Sequence, residues 1–409
     1  MHNGRLKVLY IDASAGFGGA TKSLSLLLQG LRTIDPIVVT HQYHHIAQKS
    51  YNGLTVYRVP LPLHIRLYNR LQQWICGKIS FRPARRIALK PLHILDRLQK
   101  WASTLYVLWI ARSNRVDLIH GNNGFLTPGG AFVSRWLRIP YVVHARGFCN
   151  PQSKAVFGAM RQTTHVIAVS TAVAESVHRQ GLPHDKITTV YDPVDTDLFD
   201  RVSAGDDREA RRVAFGLRPD DIAVGIFGRV VQWKGQLEFA YAVLQVMRLQ
   251  ERLKAFIVGD ESDGPPSYFD HIRQVIDTSG YAQRFILTGY REDVESLYSI
   301  MDIVVHASLD PEPFGMVVTE AMAAGRPVIA AEAGGPAEII TPGVDGILVR
   351  PGNVGEMAAA ILQLSEDPAL RASLAKNAHA KVRTHYTIGH NASKVERLYH
   401  ELLPRPNGN

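Results

Sequence analysis

Short β-branched, apolar runs alternate with amphipathic stretches of helical period along the chain. That alternation predicts parallel sheets flanked by helices. In the first half, strands are predicted at Lys7–Ile11, Ile37–Thr40, Leu54–Val59, Asp117–His120, Tyr141–His144, Val166–Val169 and Ile187–Val190. The second half repeats the style at Ala223–Phe227, Ala255–Val258, Arg284–Leu287, Ile303–His306, Val328–Ala330 and Ile347–Val349. A seam falls near Tyr191–Asp200, ahead of the polar stretch Ser203–Arg212. The predicted fold is therefore α/β, with two doubly wound Rossmann-like domains, 1–196 and 197–384, facing across a cleft. Ligands are expected outside the strand C-termini.

The densest chemistry lies in Asp310–Ala330, DPEPFGMVVTEAMAAGRPVIA. Glu312 and Glu320 bracket the turn Pro313-Phe314-Gly315, and an Ala-rich apolar helix follows. With a helix start near Gly315, Glu312 precedes the helix and Glu320 lies on its second turn. Eight residue steps leave a rotation of only about 80°, so both carboxylates can border one crevice. The N–H groups of Phe314, Gly315, Met316 and Val317 would meet an anion at the positive end of the helix dipole. A polyhydroxylated, phosphate-bearing ligand suits such a place: carboxylates accept from hydroxyls and the helix end takes phosphate.

This spacing resembles the E-x7-E signature of the retaining glycosyltransferases of family 4, which have the GT-B fold. The likeness continues in order through GIFGRVVQWKGQ (Gly225–Gln236), FIVGD (Phe256–Asp260), FILTGY (Phe285–Tyr290) and AGGPAEII (Ala333–Ile340). It extends more loosely to GFGGATKSLSLLL and VDLIHGNNG in the first half. The resemblance implies that Glu320 binds ribose hydroxyls and that Glu312 contacts the donor sugar near the reaction centre. It likewise places Gly259, Asp260, Tyr290 and the Phe314–Val317 backbone at the donor. The final helix, Thr387–Leu403, would cross back to the first domain, giving 385–409 to that domain.

Arg229 and Lys234 follow a strand and a glycine, where a cationic pair can neutralise a diphosphate without metal. The Gly18-Gly19 loop after the first strand allows close backbone approach, and the resemblance puts it near donor phosphates and acceptor. Thr21 stands where either a P-loop or a dinucleotide fingerprint would need glycine, which argues against an NTPase or a dehydrogenase. His120 and His144 end strands. The resemblance favours His144 beside the donor sugar; from their places at and just after strand ends, His120 and Arg146 are candidate acceptor contacts, and strand-end histidines are also often structural. Ser170 reads as an N-cap of the helix beginning at Thr171. Asp192-Pro193 replaces the Asn-Gly found at this seam in the resembling family.

Apolar content of 46% and charged content of 20% fit a globular protein. Cys76 and Cys149 are the only cysteines, so neither a disulfide framework nor a cysteine zinc site is available. A reducing, cytoplasmic location follows as the expectation, and the N-terminus shows no signal-peptide core. The net charge of +9 is localised. Between Arg58 and Arg115, 12 Lys or Arg stand against one acid, Asp96, a local net of +11; the rest of the chain carries −2. Arg66, Arg70, Lys78, Arg82, Arg85, Arg86 and Lys90 interleave there with Trp74, Ile75, Ile79, Phe81, Leu89, Trp101 and Trp109. Such interleaving suits an anionic membrane surface, although a solvated pair of basic helices has the same composition. No nucleic-acid motif accompanies the charge.

These readings converge on a retaining glycosyltransferase with no cofactor or metal. It would move sugar from a nucleotide-diphospho-sugar to a glycan or lipid-linked acceptor at the cytosolic membrane face. The alternatives are a nucleotide-sugar-binding protein without transfer and a sugar-nucleotide epimerase on the same architecture.

Overall fold

A computed structural model describes residues 5–14, 18–42, 44–59, 70–71, 74–76, 78, 82–125, 127, 129–149, 154–204, 208–260 and 266–403. Two compact units divide the chain. The first holds Met1–Val169, Val173–Val190 and Ala392–Asn409; the second holds Ser170–Ala172 and Tyr191–Asn391. The divide therefore falls at Val190/Tyr191, a little before the predicted boundary, and the last helix, Ile388–Leu402, rejoins the first unit at Ala392.

The first unit is built on a seven-stranded parallel sheet in the order β3-β2-β1-β4-β5-β6-β7. Its strands are β1 Leu6–Asp12, β2 Ile34–Thr40, β3 Thr55–Arg58, β4 Leu118–Asn122, β5 Tyr141–Ala145, β6 His165–Ala168 and β7 Ile187–Thr189. The second unit's sheet has six parallel strands in the order β10-β9-β8-β11-β12-β13. They are β8 Ile222–Phe227, β9 Leu253–Val258, β10 Phe285–Gly289, β11 Ile303–His306, β12 Val328–Ala331 and β13 Ile347–Val349. Each predicted strand has its counterpart, with ends shifted by a few residues. The largest shift is β2, which begins at Ile34 and takes in Pro36, aligned with Val8 of β1.

In both sheets the order reverses beside the first strand, between β1 and β4 and between β8 and β11. In open α/β sheets such reversals are the places where ligands bind, outside the carboxyl ends of the strands. Central strands are buried on both faces, as parallel sheets require. Val8, Tyr10, Leu118, Val142 and Ile167 form the first core, joined by Ala392, Val395, Leu398 and Tyr399 of the last helix. Val224, Ile226, Ala255, Ile257, Ile303 and Val305 centre the second.

Candidate active site

Parallel pairing of β8 with β11 sets Ile303 beside Val224, so the loops leaving both strands emerge side by side. The β8 loop runs through Arg229 into a 3-10 turn, Gln232–Lys234. The β11 loop runs through Ser308 and Glu312 into the helix Met316–Ala323. A backbone bond from Leu309 N to the Trp233 carbonyl, 2.8 Å, ties the loops together.

Glu312 is the hub. Lys234 Nζ donates to its Oε1 at 2.6 Å, while Ser308 Oγ donates to its Oε2 at 2.9 Å. His306 Nε2 lies 2.5 Å from the same Oε2. Lys234 and Glu312 keep only 13% and 12% of their side-chain exposure, so this is a largely desolvated ion pair. Burial alone would raise the Glu312 carboxyl, but His306 and then Lys234 outweigh it and hold it well below the usual carboxylate range. Lys234 Nζ also sits 4.4 Å from the Trp233 ring centroid. Sequence reasoning named Glu312 and Lys234 but missed His306, the last residue of β11, and Ser308 in the loop after it, which meet the same carboxylate.

Glu320 lies one helix turn deeper and is buried. Tyr298 Oη donates to its Oε2 at 3.1 Å, and the Tyr298 ring stacks on Phe227 at 4.0 Å. Burial, then Glu320 and more weakly Glu295 and Glu312, push the Tyr298 hydroxyl well up. The sequence offered no partner for Glu320; the partner comes from the neighbouring helix Val294–Ile300. Gly315 is the N-cap of Met316–Ala323, in the left-handed region at φ 97°, with no side-chain cap on the first turn. Phe314 is buried, and Met316 and Val317 are half-buried. Arg229 exposes its side chain while its carbonyl accepts from Gln236 Nε2 at 2.8 Å. Tyr290, expected at the donor, is 65% exposed. Gly259 has a packing reason of its own: a Cβ there would fall 1.9 Å from the Gly228 carbonyl oxygen. The adjoining Asp260 accepts from Val230 N at 3.1 Å through its backbone.

The AGGPAEII run supports this site from below. Gly335 N donates to the Glu312 carbonyl at 2.8 Å. Further along, Glu338 accepts from Thr171 N at 2.8 Å and Ala172 N at 2.7 Å. That carboxylate takes the first two N–H groups of the helix Thr171–His178, which begins directly after Ser170.

The first unit carries a second polar constellation at its own switch point. Asp12, Asn122 and His144 are neighbours across β1, β4 and β5. The buried Asp12 carboxylate accepts from Tyr51 Oη at 2.7 Å, Gln42 Nε2 at 2.9 Å and Asn122 Nδ2 at 3.2 Å. Arg146, expected at an acceptor, buries its guanidinium instead. It donates from Nε to Asn122 Oδ1 at 2.6 Å and from a terminal nitrogen to Ser23 Oγ at 2.6 Å; its other terminal nitrogen lies 3.2 Å from His144 Nδ1. His120 packs between Tyr10 and Tyr399, its Nδ1 2.6 Å from Tyr399 Oη, and burial with the Arg146 charge pulls it down to about 3. That is a core position. Gly18 caps the helix Gly19–Gly30 in extended conformation without a side-chain bond; residues 15–17 of the same loop lie outside the described residues.

Family models match both halves of the chain. The model for Glycosyltransferase Family 4 matches residues 74–198, and that for Glycosyl transferases group 1 matches 207–381. The chain belongs to glycosyltransferase family 4. Like its family, it is a sugar-transferring enzyme with the GT-B fold. An uncharacterized glycosyltransferase of Methanocaldococcus jannaschii is 27% identical over 307 residues, 71% of this chain and 77% of that protein. The lipopolysaccharide core biosynthesis mannosyltransferase LpcC of Rhizobium leguminosarum bv. viciae is 29% identical over 260 residues, 61% of this chain and 72% of LpcC. Among solved structures, Anabaena HepE in complex with UDP superposes with a TM-score of 0.77 at 26% identity, covering 97% of this chain and 100% of HepE. HepE has also been solved with UDP-glucose.

Proposed function

We propose that this family 4 enzyme is a retaining, metal-independent glycosyltransferase that uses a nucleotide-diphospho-sugar. The observation that carries the proposal is the Lys234–Glu312 pair beside the uncapped first turn of Met316–Ala323, with Glu320 on the same helix. Arg229, Lys234 and the helix N–H groups supply positive charge where a nucleoside diphosphate leaves, a task that elsewhere falls to a metal ion. Glu320 receives the ribose hydroxyls and Glu312 the sugar. The bond from sugar C1 to the phosphate oxygen breaks, and the acceptor oxygen bonds to C1 on the same face. The acceptor's hydroxyl proton passes to the departing phosphate, so no protein nucleophile is required. HepE's complexes with UDP and UDP-glucose support a donor of this class.

A glycan or lipid-linked acceptor at the cytosolic membrane face completes the proposal. The helix Arg82–Asn114 exposes Ile94, Leu98, Trp101, Leu105 and Trp109, whose spacing forms one stripe, with Lys90, Arg97, Lys100 and Arg112 exposed around it. Amphipathic surfaces of this kind lie in the headgroup plane. Arg66, Ile79 and Phe81 lie outside the described residues, as do the side chains of Arg82, Arg85 and Arg86. No described helix is long and apolar enough to cross a membrane.

The test is donor consumption across UDP-, GDP- and ADP-sugars, with and without EDTA. One donor is consumed and EDTA changes nothing; alanine at Arg229, Lys234 or Glu320 costs at least about 10- to 100-fold. Near-native turnover in all three variants defeats the assignment.

A further inference from the structure

We infer that Arg146 locks His144 as the neutral imidazole protonated on Nε2, so that His144 offers a ligand a hydrogen-bond donor and never a base. Donor and acceptor capacity alone fix the tautomer. A guanidinium donates and cannot accept, and an ionised carboxylate accepts and cannot donate. Asn122 stands between Arg146 Nε and Asp12 Oδ1, so its amide has one possible orientation, carbonyl to Arg146 and nitrogen to Asp12. The remaining Arg146 nitrogen, 3.2 Å from His144 Nδ1, must be the donor in that contact. Nδ1 is therefore the bare nitrogen and the proton sits on Nε2.

That Nε2 is buried and has no hydrogen-bond partner among the described residues. A polar atom so placed is costly unless something bound satisfies it. In nucleophilic triads a carboxylate at Nδ1 leaves Nε2 as a proton acceptor. Here a cation takes the carboxylate's place, and the sense of the imidazole is reversed. Other groups facing His144 do not undo this. His120 lies ring to ring at 5.3 Å, with Tyr399 and Tyr10 behind it, and Asp12 is reached only through Asn122. Burial, then Arg146 and His120, push His144 well below the ordinary histidine range.

The ligand atom that meets His144 must then be an acceptor: a hydroxyl, ring or phosphoryl oxygen. Arg146 is a positioning residue acting through His144. That the ligand is the transferred sugar rests on the reaction proposed above, whereas the tautomer does not.

Nitrogen NMR of the full chain labelled with 15N-histidine reads the tautomer directly, with His144→Gln identifying the signal. The expected wild-type spectrum shows Nε2 protonated, Nδ1 bare and no titration between about pH 5 and 8, where an ordinary histidine titrates. Protonated Nδ1, or titration within that range, overturns the inference. Arg146→Met, or Arg146→Lys where the former does not fold, should release the tautomer or restore titration; an unchanged signal in a folded variant removes Arg146 from the account. Once a donor is found, His144→Gln, whose amide can donate from nearly the same place, should keep on the order of tenfold more turnover than His144→Ala. Equal losses reject the donor role. A correct spectrum with no sugar nucleotide consumed sinks the reaction and leaves the tautomer standing.

Discussion

Glu312 shows how much a single side chain can organise. Its two oxygens hold Lys234, His306 and Ser308 together, so its negative charge is structural as well as available to a ligand. The folded-state pKa lies below the unfolded value near 4.5. Its stabilising contribution is therefore fully present above about pH 4.5 and is lost as pH falls through the folded value. Glu312→Gln should cost about 3 kcal/mol at pH 7, because Lys234 is left largely buried without its counter-charge. It should also flatten the acid limb of stability below pH 4.5, which denaturant titrations at several pH values will read. An acid limb as steep as wild type refutes the coupling. Glu312, Glu320 and Lys234 were legible in the sequence because helix period, loop glycines and the ordered motifs of the resembling family single them out together. His306 was not, since a strand-end histidine looks the same whether or not it meets a carboxylate. Asp12 and Asn122 were missed for a different reason: the strand register that makes them neighbours is nowhere written locally.

At the level of elements, the site depends on two strand-end loops meeting at main-chain distance. A Cβ at Gly335 would fall 2.1 Å from the Phe314 carbonyl oxygen, and one at Gly334 2.2 Å from that of Glu312. Gly335→Ala must push the Pro313–Gly315 turn aside, at a cost of about 1–3 kcal/mol as overpacking usually has. Donor turnover should fall by more than tenfold while the far-ultraviolet circular dichroism is kept. Full activity in that variant shows that the turn can shift without consequence. The thirteen strands were readable from apolar runs alone, but their pairing was not. Nor was the capping of Thr171–His178 by Glu338, a partner 167 residues away.

Across the whole molecule, charge is the property with the longest reach. The excess of positive charge in residues 58–115 predicts tighter binding to anionic than to neutral vesicles, falling as salt rises. Each near-surface cation adds about 1 kcal/mol before screening, so the difference should exceed tenfold at low salt. Trp101→Ala with Trp109→Ala should weaken binding to anionic vesicles at every salt concentration, since both rings are more than half exposed. Equal, weak binding to both vesicle types removes the membrane from the account.

The last helix has one more implication. Glu396 accepts from Arg32 N at 2.7 Å, Thr33 N at 2.6 Å and Thr33 Oγ1 at 2.9 Å, and Tyr399 is wholly buried against the strands laid down first. On the ribosome, residues 1–190 emerge long before residues 392–402 exist. The first unit lacks that helix until residues 392–402 follow, while Tyr191–Asn391 already holds every strand of its own sheet. A break in the chain ahead of Ala392 would thus harm the unit assembled from the first 190 residues rather than the one it interrupts.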